Sequence, residues 1–307
     1  MKIDAYHITV GNATDIGKIR EHNEDYMAHF ETPYGYCVIV CDGMGGHAAG
    51  DVASQGAVEA IKHYLQDGKI TKLDATSSLH NAIEFANYKL REMVQQNPEF
   101  AGMGTTCVMV LINNAEMHMA YAGDSRVYLI RDKRIRQLSK DHSTIQHLID
   151  TGILTEDEAK VSEKRNQITK AIGIFEKVGP NVTKVPFMLK YNDRILLCSD
   201  GLTGHVESNE ILEIINVNSD VQDASMKLIE KANLDGGSDN ITVQLIHYTG
   251  NSSAIRTHRP LKNFIRAVVI ILIIVAIGFA AYWKLGPTIK HEPTRNETIK
   301  PSGQIKT

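Results

Sequence analysis

Apolar runs in this chain keep stopping at acids. "VIVCDG" ends at Asp42, "MHMAYAGDSR" at Asp124 and "RILLCSDG" at Asp200. Asp239 in "GGSDNITVQLI" stands just before another such run, and Glu24 and Asp25 in "REHNEDYMAHF" before a fifth. The runs are short, rich in Val, Ile, Tyr and Thr, and bounded by Gly, Asn and Asp, which is the pattern of strands. Candidate strands fall at 6–12, 25–31, 36–42, 104–113, 116–122, 126–131, 182–189, 193–199 and 241–247. Amphipathic stretches at 48–65 and 75–96 interrupt the early strands, and helices at about 208–217 and 221–233 precede the last one. In the first, Val52, Ala53, Gly56, Ala57, Ala60, Ile61, Tyr64 and Leu65 keep near-helical spacing. Strands in adjacent runs and helices in pairs predict an α+β fold, antiparallel sheet with helices on its outer faces.

Taken singly, each acid has a plain account. Asp-Gly favours a tight turn because glycine accepts positive φ, and Asp67-Gly68 and Asp235-Gly236 read as turn chemistry alone. The set says more. Strand ends of one sheet can converge, and converging carboxylates raise one another's pKa unless cations neutralise them. Oxygen-only ligands suit Mg2+ or Mn2+, and a shared carboxylate can hold two such ions with a water between them that becomes hydroxide near neutral pH. Zinc fits less well, since the chain has no HExxH and no Cys/His cluster. Arg20 lies five residues before Asp25. Its guanidinium fork matches two phosphate oxygens, and it matches a neighbouring acid equally well.

The rest of the chain sets bounds. A net charge of −3 over 307 residues gives no sign of a nucleic-acid surface. Cys37, Cys41, Cys107 and Cys198 sit in or beside apolar runs without a C-x-x-C pair, which predicts buried thiols in a reducing compartment. No signal peptide precedes the first strand. Residues 1–248 read as one soluble domain, and 140–180 as an inserted flap with a short helix pair, Thr155 and Glu158 offering a capping box. Residues 249–263 form a basic linker. The uncharged run Ala267–Trp283 would span about 26 Å as a helix, so 264–284 is expected to cross a membrane, with 285–307 as a polar tail. Arg256, Arg259, Lys262 and Arg266 before it nearly balance Lys284, Lys290, Arg295 and Lys300 after it, so charge leaves the orientation open. The missing signal peptide and unpaired cysteines favour a cytosolic N-terminal domain. The "NET" at 296–298 matches a glycosylation acceptor, a short pattern.

Seven motifs come in one order: Thr14–Asp25, "VCDGMGGHAAGDVAS" at 40–54, "GTT" at 104–106, "AGDSR" at 122–126, "LSKDHS" at 138–143, "LLCSDGLT" at 196–203 and "GSDNITV" at 237–243. Over about residues 3–247 the chain resembles the bacterial metal-dependent Ser/Thr protein phosphatases of type 2C. The resemblance implies a four-layer α-β-β-α sandwich, two antiparallel sheets flanked by helix pairs, with two Mn2+ or Mg2+ ions at one edge and a third, weaker site. By motif, Asp42 bridges both ions, Gly43 ligates one through its carbonyl, Asp200 and Asp239 hold one, and Glu24 reaches the other through water. Asp124 with Asp200 resembles the third site, Asp25 and Asn240 support the shell, and Arg20 resembles the phosphate-binding arginine. Animal members carry a histidine directly after the Asp-Gly. Here Met44 follows, and His47 either takes the general-acid role or starts a helix. The expected reaction is one-step hydrolysis of phosphoserine and phosphothreonine on proteins by the bridging hydroxide, and the expected partner a eukaryotic-type Ser/Thr kinase.

Two other readings compete. The Gly-rich loop after Asp42 sits where a nucleotide loop sits, but Gly45-x-x-x-x-Gly50 is followed by Asp-Val and no G-x-G-x-x-G register fits. A membrane-tethered scaffold that binds phosphopeptides without cleaving them would keep the same residues, and a metal-dependent assay separates it from an enzyme.

Overall fold

The structure is a computed structural model that describes residues 1–45, 49–67, 74–155, 158–159, 162, 167–250 and 275. The strand β4 (Gly35–Met44) shows how the sequence builds it. Val38 and Val40 point one way, Cys37, Ile39 and Cys41 the other, and all five are fully buried. A strand apolar on both faces needs a layer on each side. On one side Val38 and Val40 meet Val108, Val110, Ile195, Leu197 and Ile246 between two sheets. On the other, Cys37, Ile39 and Cys41 meet Ala53, Ala57, Ile61, Leu79 and Ile83 of two helices, α1 (Ala49–Gln66) and α2 (Ala75–Gln96). Each such aliphatic side chain contributes about 1.5–3 kcal/mol on burial.

One sheet carries β4 together with β3 (Asp25–Thr32), β6 (Cys107–Asn113) and β7 (Glu116–Ala122), with the two-residue strands β5 (Gly104–Thr105), β10 (Asn181–Val182) and β11 (Phe187–Met188) at its margins. The other runs in the order β1 (Lys2–Ile3), β2 (Ile8–Asp15), β13 (Ile241–Tyr248), β12 (Arg194–Cys198), β8 (Arg126–Arg131), β9 (Arg134–Gln137). All pairings are antiparallel. Its outer face packs Leu196, Val243 and Leu245 against α5 (Ser208–Val217) and α6 (Val221–Leu234). Gln244 of β13 is fully buried and donates from Nε2 to the carbonyls of Ala28 (3.1 Å) and Ile39 (2.6 Å), fastening one sheet to the other.

The α+β expectation holds, with local corrections. The first long strand begins at Ile8 because a 3-10 turn occupies Asp4–Tyr6. The run 104–113 breaks at Thr106, whose hydroxyl and amide turn to Asp42 instead of a ladder. The run 182–189 keeps only its ends as strand, with Pro186 between them. The chain also forms β9 and a short helix α4 (Asp200–Thr203), where no element is expected. In the flap, α3 (Thr144–Asp150) is present and the capping box is made, the Thr155 amide donating to Glu158 Oε2 at 2.8 Å. Of the second flap helix only Glu158 and Ala159 are described, and of the segment 264–284 only Val275. Among the described residues no helix is long and apolar enough to cross a membrane.

Candidate metal centre

Asp42, two residues before the end of β4, lies directly opposite Asp25, the first residue of β3. Its backbone is held from three directions. The Asp42 amide donates to Thr106 Oγ1 (3.0 Å), and its carbonyl accepts from the Thr106 amide (2.8 Å) and from Thr105 Oγ1 (2.8 Å). Gly43 then donates its amide to the carbonyl of Glu24 at 3.1 Å. A Cβ on Gly43 would stand 2.0 Å from the Gly50 carbonyl oxygen and 2.5 Å from that of Glu24. A Cβ on Gly201 would stand 1.9 Å from the Asn240 carbonyl oxygen. Neither glycine has positive φ. The two Asp-Gly pairs therefore answer to close backbone approach rather than to a turn. Asp235-Gly236 is the turn expected of it, Gly236 at φ +152 and Gly237 at φ +61. Gly68 lies outside the described residues.

The other acids arrive from four further elements. Asp200 opens α4, Asp239 precedes β13, Asp124 lies between β7 and β8, and Glu24 precedes β3. Burial raises Asp200, repulsion from Asp239 adds to it, and Asp42, Arg126 and Arg20 oppose the rise. Burial pushes Asp42 well above the ordinary carboxylate range, and Asp25, Asp200, Asp124 and Asp239 add to it by repulsion. Burial raises Asp25 to about 7, opposed by hydrogen bonds from Ser199 and Thr242. Asp124 rises to about 7 through burial, then through Asp200 and Asp141. Glu24 is raised by burial and lowered by Arg20.

Arg20 donates from Nη2 to Asp239 Oδ2 at 2.9 Å, so the neighbouring-acid account of this arginine is realised. The side chain remains 46% exposed. Asn240, buried, accepts the Glu24 amide at Oδ1 (2.8 Å) and donates from Nδ2 to the carbonyls of Ile16 and His22 (both 2.9 Å). It ties the loop bearing Arg20 and Glu24 to the start of β13. Ser199 Oγ donates to Asp25 Oδ2 (2.7 Å) and accepts the Thr242 amide (3.0 Å). The predicted residues Arg20, Glu24, Asp25, Asp42, Gly43, Asp124, Asp200, Asp239 and Asn240 thus meet at one edge of the two sheets. His47 lies outside the described residues. Sequence reasoning gave no role to Ser199, Thr105 or Thr106. Their signal was present in "LLCSDG" and "GTT", but partners 174 and 63 residues away are invisible to local pattern.

Among the described residues, no three His, Cys, Asp or Glu side chains form a closed ligand group. Asp25 faces Asp42 across the strand pair, Asp42 feels the charges of Asp25, Asp200, Asp124 and Asp239, and Asp239 is bonded to Arg20. The donor set is all oxygen, and the raised acids mark a site where added positive charge is favourable. These residues fit hard divalent cations.

A family model described as Protein phosphatase 2C matches residues 31–241. The serine/threonine phosphatase stp of Listeria monocytogenes is 37% identical over 236 residues, 76% of this chain and 93% of the relative. The solved Mycobacterium tuberculosis serine/threonine phosphatase PstP/Ppp superposes with a TM-score of 0.72 at 34% identity, covering 79% of this chain and 99% of that one. A structure of the PstP catalytic domain in complex with two manganese ions gives 0.70 at 33% identity, covering 79% and 98%.

Proposed function

The chain belongs to the protein phosphatase 2C family, and from that premise we propose the residue roles, partner and location that follow. It is a metal-dependent phosphatase of phosphoserine and phosphothreonine on proteins, and its cofactor is a pair of Mn2+ or Mg2+ ions. When bound, the ions supply an activated water and neutralise charge on the phosphoryl group. Asp42, with the Gly43 carbonyl, Asp200 and Asp239, would hold them, and Glu24 would support one of them from farther out. Asp124 with Asp200 offers the weaker third position. Asp25 fixes Asp42 across the strand pair, and Asn240 fixes the Arg20–Glu24 loop. Arg20 spends one Nη on Asp239, so its fork sits beside the carboxylates and open to solvent. There it orients phosphate oxygens and stabilises the charge that develops on them. His47, expected either to protonate the leaving oxygen or to start a helix, lies outside the described residues.

The convergence of acids on buried Asp42 carries this assignment, because Asp25, Asp200, Asp124 and Asp239 all repel its charge and so favour added cations. The test is turnover of p-nitrophenyl phosphate and a phosphothreonine peptide with Mn2+. Chelation should abolish activity, and Asp42→Asn should lower kcat on the order of 10³-fold. Activity surviving both would sink the assignment.

An enzyme that removes phosphoryl groups from Ser and Thr needs a kinase that adds them, and a Ser/Thr kinase is the proposed partner. The proposed domains are 1–248 catalytic, 249–263 linker, 264–284 membrane-spanning and 285–307 tail. Uncharged Ala267–Trp283 supports the membrane span. The free, buried Cys37, Cys41, Cys107 and Cys198 support a catalytic domain on the cytoplasmic side.

A further inference from the structure

The end of the six-stranded sheet remote from the acids has its own chemistry. A cavity of about 440 Å3 there is lined by Arg131, Lys133, Lys190 and Arg194. Residues 131–136 and 190–194 carry six cations against two acids, in a chain whose net charge is −3. One of the acids, Asp193, is buried and spent on Arg131, which donates from Nε at 2.7 Å. Arg194 is braced against the C-terminal end of α5, donating to the Ile215 carbonyl and, at 2.9 Å, to that of Asn218. The two arginines build the walls. Lys133 and Lys190 are exposed and have no acidic partner among the described residues. Beside them stand two apolar side chains left in water, Tyr191 at 69% and Val217 at 75% exposure.

The chain leaves the sheet at this cavity. The Tyr248 amide donates to the Asp193 carbonyl (2.9 Å), and the Asn192 amide to the Tyr248 carbonyl (2.9 Å). Beyond Tyr248 the sequence runs through Arg256, Arg259, Lys262 and Arg266 into the uncharged run. Seven residue steps along β13, about 23 Å, separate this end from Ile241, two residues after Asp239 of the metal centre.

We propose that this pole is a docking surface for an anionic lipid bilayer: Lys133, Lys190 and the cavity behind them take phosphate-bearing headgroups, while Tyr191 and Val217 enter the interface. Exposed lysines next to an exposed aromatic are the residue types that bind such a surface. Docked this way, the domain holds its metal centre on the side away from the lipid. The proposal extends the membrane reading of 264–284, yet its test uses a protein without that segment. Residues 1–250 are suitable, because Met1–Ser253 forms a compact unit and relatives of nearly this length stand alone.

The experiment is co-sedimentation of residues 1–250 with phosphatidylcholine vesicles and with mixed phosphatidylcholine–phosphatidylglycerol vesicles. The domain should sediment with the mixed vesicles only, and high salt should release it. Lys133→Glu with Lys190→Glu should cut binding by about tenfold or more while p-nitrophenyl phosphate turnover stays unchanged. Lys133→Ala with Lys190→Ala provides a milder pair should the reversal impair folding, and Tyr191→Ser should weaken binding further. Equal sedimentation with both vesicles, equal binding by the lysine variants, or release by millimolar glycerol phosphate would overturn the proposal. So would a dimer that the lysine variants dissolve, which would assign the pole to a second copy. A carbonate wash of membranes holding the full chain reports separately on 264–284.

Discussion

Asn240 shows how much one amide can hold. Its three hydrogen bonds fix the positions of Ile16, His22 and Glu24, and so of the loop between them that presents Arg20. Asn240→Ala leaves a buried amide and two carbonyls without their partner, which costs about 2 kcal/mol. Activity should fall about 10- to 100-fold, with a weaker apparent affinity for Mn2+, because the residue acts through others. Urea denaturation and a metal titration of kcat check both. The acids give a pH prediction. Asp25 and Asp124 bind protons up to about 7 in the folded chain, against the ordinary carboxylate value unfolded. Between those values the folded state holds more protons, so this part of the metal-free stability is present at low pH and lost as pH rises through about 7. His142, whose burial lowers it to about 4, acts oppositely, losing stability as pH falls from about 6.5. The gain in Tm on adding Mn2+ cancels the His142 contribution. That gain should grow from pH 5 to pH 8, since the ions need the carboxylates bare. A gain that shrinks with pH would count against metal binding at these acids.

At the scale of elements, the parts legible in the sequence are those whose cause is local. The strands β3, β4, β6, β7, β8, β12 and β13 and the helices α1, α2, α5 and α6 each carry their own periodicity, and they form within a few residues of where it places them. The acids were legible because a strand end is a local event. What escaped has distant causes. β9, "RIRQ", is polar but for the half-buried Ile135, and it exists because the hairpin from β8 folds it back on the sheet edge. Gly43 reads as a turn residue until α1 and the Glu24 carbonyl close over it. Gln244 reads as an ordinary polar interruption of β13, yet it joins the two sheets. Gln244→Leu removes both bonds and leaves the Ala28 and Ile39 carbonyls without that donor, a loss of about 1–3 kcal/mol. Its urea midpoint should fall with the m-value unchanged, as for a native-state contact. A fallen m-value would mean instead that the sheets part.

For the molecule as a whole, the expected division of labour is a self-sufficient catalytic unit and a separate anchor. Residues 1–250 should turn over p-nitrophenyl phosphate at the full-chain rate. The full chain should resist extraction from membranes by alkaline wash, and loss of 264–307 should release it. Saturating Mn2+ at about 100 times its Kd should raise the unfolding free energy by about 2.7 kcal/mol, measured by denaturation with and without the ion.

The pairing of β2 with β13 joins Ile8 to Tyr248 and Asp15 to Ile241. The first long strand of the domain thus waits for the last, and Glu24 cannot meet Asp239 until nearly the whole domain has been synthesised. A nascent chain released early, or one cut short before residue 241, has most of its hydrophobic layers and none of its catalysis. Contacts so distant along the chain close slowly. Activity is therefore expected to lag translation, and a product that ends before β13 to be inactive, whereas residues 1–250 keep the whole pairing.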